Sequence, residues 1–185
     1  MSLARYAIRT ASFAALYLVA TLLGHLTEVG RTEVALFWPA AVVGAVWLLA
    51  QAPYRMLRFD VIALGTVAAS VAVTSHGILA ALAMAVPQVV PAVLIVFLAQ
   101  RWLPPAGAGT GAVLVRLTGI AAAAAAAGAV LHGVIDLGGF TAPEAGYLVL
   151  RDTVSVLLAL LGLHFLRAKP QGKGPTRRGH LTVVR

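Results

Sequence analysis

The sequence predicts an all-α, polytopic transmembrane helical bundle of about six spans, with both termini cytoplasmic. Three features carry that prediction: apolar text running almost unbroken from residue 6 to residue 166, the absence of period-2 alternation, and basic residues gathered at alternate breaks in the apolar runs. With 61% hydrophobic and 11% charged residues and a mean hydropathy of +0.93, the 185-residue chain has too little polar surface to cover a water-soluble globule. Lipid is then the covering solvent. A backbone group left unpaired in lipid costs several kcal/mol, which leaves helices or closed barrels, and a membrane barrel would show alternating strands.

A helix needs roughly 20 mostly apolar residues to cross the hydrocarbon core. The first candidate runs from Tyr6 to His25, opened by Arg5 and Arg9; it resembles a signal peptide, but no small-residue cleavage site follows, so it reads as a retained helix. The second runs from Val34 to Ala50. Pro39 cannot donate to the carbonyl of Ala35, so this helix either bends at Pro39 or starts there. A start at Pro39 gives a helix of about 20 Å, too short for a core of about 30 Å, which favours the bend; Phe37 and Trp38 then sit near the outer interface, the reading preferred for Trp38, or turn inward to line a cavity. The third and shortest candidate runs from Phe59 to Thr74. The fourth, Ile78 to Ala99, contains Pro87 and Pro91 with Gln88 between them, so a kink is expected whose freed carbonyl Gln88 can satisfy. The fifth, Ala112 to Ile135, holds seven consecutive alanines from Ala121 to Ala127 and then Gly128, a face small enough for close helix packing. The sixth runs from Tyr147 to Leu166. Residues 1–167 form one membrane domain, and the basic, Gly/Pro-rich tail 168–185 is expected to be disordered.

Orientation follows from Lys and Arg, which short loops retain on the cytoplasmic side. With the N-terminus inside, Arg5, Arg9, Arg55, Arg58, Arg101, Arg116, Arg167, Lys169, Lys173, Arg177, Arg178 and Arg185 fall inside and only Arg31 and Arg151 outside, 12 against 2 of the 14 basic residues. The net charge of +8 is then a topology signal and an attraction to anionic head groups. No basic helix face with aromatic stacking accompanies it, so nucleic acid is not an expected partner. With 0 cysteines the chain has no disulfide, thiol chemistry or cysteine-bound zinc. It also lacks a phosphate-cradling loop, a His-Glu zinc helix and a nucleophile elbow, so no enzymatic activity and no cofactor are expected.

In this orientation Glu28, Glu33, Asp136, Glu144 and Asp152 gather toward the outer half with His25, His76 and His132, and Asp60 is the sole inner acid. Arg151 and Asp152 lie about one turn into the sixth segment, where charge is costly unless paired. Adjacent helical residues face different directions, so separate partners are expected, from among Asp136, Glu144, Arg31 and Glu33. His132 and Asp136, four apart, share a face and suit either a hydrogen-bonded pair or two metal ligands, the third then coming from His25 or His76. The candidate ligand-binding set is Trp38, Pro39, Gln88, His132, Asp136, Arg151 and Asp152. The competing reading is a polar rim at head-group level.

The run FWPAA at residues 37–41, Leu64–Gly65 in a short third span, and the charged opening of the last helix at Arg151 and Asp152 together resemble the first class of membrane-associated sensor domains, the MASE family. The resemblance covers roughly residues 10–166. It implies a bacterial sensory input module that normally feeds a cytoplasmic cyclase, phosphodiesterase or histidine kinase. The chain departs from the family in placing six spans rather than more, and in ending at residue 185, which leaves no room for an output domain. Expected partners are the lipid bilayer, an unidentified small ligand, and a cytoplasmic or membrane signalling partner such as a cyclase, phosphodiesterase or kinase. The alternative is the substrate-binding subunit of a vitamin or metal importer of the energy-coupling-factor type, for which Ala11 and Ala15 supply a small-residue docking spacing.

Overall fold

The computed structural model describes residues 3–27, 35–36, 38–54, 57–103, 109–135 and 141–168. These residues form six α-helices: α1 (Leu3–His25), α2 (Pro39–Gln51), α3 (residues 57–76), α4 (Gly77–Trp102), α5 (Thr110–Ile135) and α6 (Ala142–Ala168). A 3-10 turn, Ala52–Tyr54, follows α2. Four helices, α1, α4, α5 and α6, are long and apolar enough to cross a membrane. The expected tail, residues 169–185, lies outside the described residues, as do Phe37 and Asp136.

Helices α3 and α4 are joined without a loop. The helical run from Leu57 to Trp102 is broken at Gly77 alone, where φ is 76° and ψ is 169°, a backbone shape that a side chain opposes. The two legs fold back on each other, so that a Cβ on Gly65 would lie 3.6 Å from Val89. Residues 65 and 89 stand equally far from Gly77, as a hairpin turning there requires. Pro87 and Pro91 sit within α4, yet the dihedrals stay helical at both.

The bundle alternates direction. Thr10 of α1 meets Gln51 of α2, and the other ends of those helices meet at Gly24 and Trp38. Trp47 of α2 meets Asp60 of α3, and Arg116 near the start of α5 donates to the Trp102 carbonyl at the end of α4. Thr110 and Val113 of α5 lie beside His164 and Phe165 of α6. Arg5, Arg9, Arg58, Arg101 and Arg116 therefore share one end, called the basic end below.

Helix α2 occupies the middle. One core joins its Ala40, Trp47 and Leu48 to Tyr17 and Ala20 of α1, Leu64 of α3 and Ala92 and Val96 of α4; a second joins its Ala45 to Ile95, Leu117, Ile120, Val156 and Leu160 of α4, α5 and α6. Lipid tails are as apolar as these side chains, so helix association rests on close packing more than on expulsion of water. Small residues make it close: Gly44 packs against Tyr17 and Leu64, and Ala121, Ala124, Ala125 and Ala129 of the alanine-rich helix are buried. Hydroxyls within the helices turn back on their own backbone, as Thr21 does to the Tyr17 carbonyl and Ser155 to that of Arg151.

The second helix corrects the expectation of a bent span. It starts at Pro39 and ends at Gln51, only 13 residues, and Trp38 before it has the extended dihedrals φ −124° and ψ 79°. Proline at the first helical position lacks an N–H that would be unpaired there anyway, so starting at Pro39 is cheaper than bending around it. The length objection fails because α2 is enclosed by other helices, not lipid.

Candidate functional site

Ala35 and Leu36 lie outside the helices ahead of α2, and the Leu36 N–H donates to the Thr27 carbonyl at 3.1 Å. Two side chains of α6 grip this segment. Arg151 Nη1 donates to the Ala35 carbonyl at 2.8 Å, and the Tyr147 hydroxyl donates to the Leu36 carbonyl at 3.1 Å. Tyr147 and Arg151 are four apart and so lie on one helix face. Together they supply donors to two successive carbonyls that no helix satisfies.

Trp38 links this grip to the rest of the bundle. Its indole N–H donates to Gln88 Oε1 at 3.2 Å, its ring meets His25 edge-on with centroids 5.3 Å apart, and the Arg151 guanidinium lies 5.9 Å from its ring centroid. The ring fits because residue 24 is glycine: a Cβ there would stand 2.6 Å from Trp38 Cε3. Trp38 is thus turned into the bundle against α1, α4 and α6, and not outward as an interface anchor. The indole needed a partner for its N–H, and Gln88 offers one inside. Gln88 thus serves Trp38 through its amide oxygen.

Arg151 and Asp152 correct a second expectation. They pair with each other, Nε to Oδ1 at 2.8 Å, with side chains 10% and 25% exposed. The Arg stem is long enough to swing round to the neighbouring carboxylate, so the facing rule for adjacent residues does not bind it. Arg151 also lies deeper than expected, because α6 begins at Ala142. Glu144 does not partner the pair: its carboxylate accepts from the Thr141 N–H and hydroxyl, both at 2.8 Å, and so caps its own helix.

Beside the pair is a cavity of about 30 Å³ lined by Gln88 and Asp152 with Ala41, Pro87, Pro91 and Gly128. Gly128 leaves no slack there, since a Cβ would lie 3.0 Å from Pro91 Cγ. The space is of the size of a water molecule. Of the expected site residues, the structure brings together Trp38, Gln88, Arg151 and Asp152, with Pro39 fixing the start of α2 beside them. His132 lies on the last turn of α5, outside the contacts just described, and Asp136 lies outside the described residues. Among the described residues no trio of His, Cys, Asp or Glu is placed to hold a metal.

A second polar cluster closes the other end of α2, and sequence reasoning passed over it. Asp60, in the first turn of α3, is fully buried. Its Oδ1 accepts from the Trp47 indole at 3.0 Å, the Thr10 hydroxyl at 3.2 Å and Gln51 Nε2 at 3.5 Å, and Gln51 Nε2 also reaches Thr10 Oγ1 at 3.2 Å. Trp47 and Gln51 are four apart and present one polar edge of an otherwise apolar helix. That edge, followed closely by an acid at the mouth of the next helix, was the available signal. Neither a family model, a curated protein nor a solved structure matches this chain.

Proposed function

We propose that the chain is an integral-membrane signal-input module of the kind the MASE resemblance implies, with its sensing cluster at the Trp38–Arg151 end. The observation that carries this reading is the double grip of Tyr147 and Arg151 on residues 35–36. The same guanidinium serves the segment, Asp152 and the face of Trp38, so a ligand that competes for any of these alters the others. A ligand shifts such an equilibrium only by its differential affinity for the two arrangements. Helix α6 then carries the change as a rod of 27 residues, about 40 Å long, toward the basic end.

The basic end faces the cytoplasm on the positive-inside rule, and a separate cyclase, phosphodiesterase or kinase is the partner that would receive the signal there. The importer alternative would need a cavity of several hundred Å³ for a vitamin-sized ligand; the space beside Asp152 is about 30 Å³, and a larger one of about 240 Å³ lies between α5 and α6 at the basic end.

Asp152→Asn tests the reading. It keeps the shape of the side chain and removes the charge that holds Arg151. The protein should still insert and purify folded, with some loss of stability from the uncompensated Arg151 charge, while the output of the co-expressed partner, read as cyclic dinucleotide level or kinase autophosphorylation, should lose its response to stimulus. An unchanged response in a well-folded variant would remove this cluster from the signalling path.

A further inference from the structure

We propose that Tyr6, Thr10, Gln51 and Asp60 form a binding site for a single monovalent alkali cation, buried between α1, α2 and α3. The proposal is independent of the signalling reading and lies at the opposite end of α2 from its cluster. It starts from an imbalance of lone pairs. The Trp47 indole, the Thr10 hydroxyl and the Gln51 amide nitrogen converge on Asp60 Oδ1 or on Thr10 itself. Two acceptors, Asp60 Oδ2 and Gln51 Oε1, are left buried without a hydrogen-bond partner, and the Tyr6 hydroxyl, which lies beside Thr10 and Asp60, is buried without a well-formed hydrogen bond of its own. Asp60 and Gln51 are both 0% exposed, so bulk water does not reach them.

An unsatisfied buried oxygen is costly, and a carboxylate oxygen especially so. One water donates only two hydrogen bonds and brings no charge. A hard cation satisfies several oxygen lone pairs at once and cancels the carboxylate charge, and oxygen-only ligands suit it. One carboxylate matches a charge of +1, and no second acid or histidine joins the site to favour a divalent or transition metal. The basic residues nearby in sequence, Arg9 on α1 and Arg58 on α3, oppose a cation. The oxygens must therefore supply close contact to overcome that field, and they are the groups left without partners. Gln51 bridges α1 and α3 from the last turn of α2, so an ion held here ties three helices together.

The test uses the full chain in detergent, with choline chloride replacing other salts at constant ionic strength. Sodium, potassium or lithium chloride is then titrated in, and the unfolding temperature and the tryptophan emission are followed, with Trp38→Phe/Trp102→Phe as the background that leaves Trp47 alone. At least one alkali ion should raise the unfolding temperature along a saturable curve, shift the emission with the same midpoint and leave choline without effect. Asp60→Asn, which keeps an acceptor for Trp47 and removes the charge, should abolish the saturable response. Tyr6→Phe, at the edge of the site, should fold and weaken the midpoint about tenfold. An absent alkali response in wild type overturns the proposal, as does an equal response in Asp60→Asn or, if that variant fails to fold, an unshifted midpoint in Tyr6→Phe. Stabilisation of wild type by lowered pH in choline alone, with no alkali dependence, assigns the site to a proton instead and overturns it too.

Discussion

The two ends of α2 solve the same problem with different chemistry. At each end a tryptophan donates its indole N–H to a neighbouring helix, Trp38 to Gln88 and Trp47 to Asp60. At each end a carboxylate is withdrawn from water, Asp60 fully and Asp152 in large part. Asp152 is met by the guanidinium of Arg151, which also spends a donor on the Ala35 carbonyl, whereas Asp60 accepts from neutral donors and leaves one oxygen with none. The first arrangement is a closed pair that holds the segment ahead of α2. The second is an open set of acceptors. The contrast teaches that burial of a polar residue beside a short enclosed helix does not by itself reveal whether it clamps structure or awaits a ligand; the tally of donors and acceptors does.

Breaking the closed pair should give the largest effect. Arg151→Ala removes the grip on Ala35 and strands the Asp152 carboxylate, and a loss of about 3 kcal/mol is expected in detergent unfolding, since removing one partner of a mostly buried pair leaves an uncompensated charge. The double variant Arg151→Met with Asp152→Leu should recover part of that loss. A double variant no better than Arg151→Ala would show that the pair is not the source of the stability.

Gly24→Ala sharpens the same end without touching charge. A methyl at this position meets Trp38 at 2.6 Å, so the ring must move off Gln88, costing about 2 kcal/mol as overpacking does and shifting tryptophan emission. Unchanged emission would mean that the ring is not lodged where α1 and α2 meet.

Next in size, the two tryptophans should separate under the same substitution. Trp47→Phe leaves fully buried Asp60 without its shortest hydrogen bond and should cost about 2 kcal/mol. Trp38→Phe frees the neutral Gln88 amide, next to a water-sized space, and should cost about 1 kcal/mol. Urea or thermal unfolding of both variants gives the ranking, and a reversed order would break the comparison.

The smallest effect lies away from both clusters. Gly77→Ala introduces a Cβ with nothing within 4 Å, so only the left-handed backbone opposes it, and about 1 kcal/mol is expected. A neutral result would show that the α3–α4 turn relaxes freely.

The helices were legible because each requirement of the bilayer leaves a mark in composition: long apolar runs, basic breaks and small residues at contact faces. The start of α2 was less legible. Pro39 announced a start or a bend, and the choice between them depended on whether lipid or protein surrounded the helix, which no local pattern records. Trp38, Gln88, Arg151 and Asp152 could be singled out because polar groups in apolar text are expensive. Their partners could not, since Ala35 and Trp38 meet Arg151 across more than 110 residues. Asp60 was hidden by its position. An acid in the first turn of a helix has a sufficient local reason to be there, the helix dipole, and so did not call for a second one.

The account rests on the Trp38–Arg151 end facing away from the cytoplasm, and cysteine labelling tests this most directly because the chain contains 0 cysteines. Leu36 beside Trp38 is 60% exposed and Leu103 at the basic end 38%. A membrane-impermeant maleimide applied to intact cells should label Leu36→Cys at once and Leu103→Cys only after permeabilisation. Labelling of Leu103→Cys in intact cells with protection of Leu36→Cys, or equal labelling of both, would contradict the account.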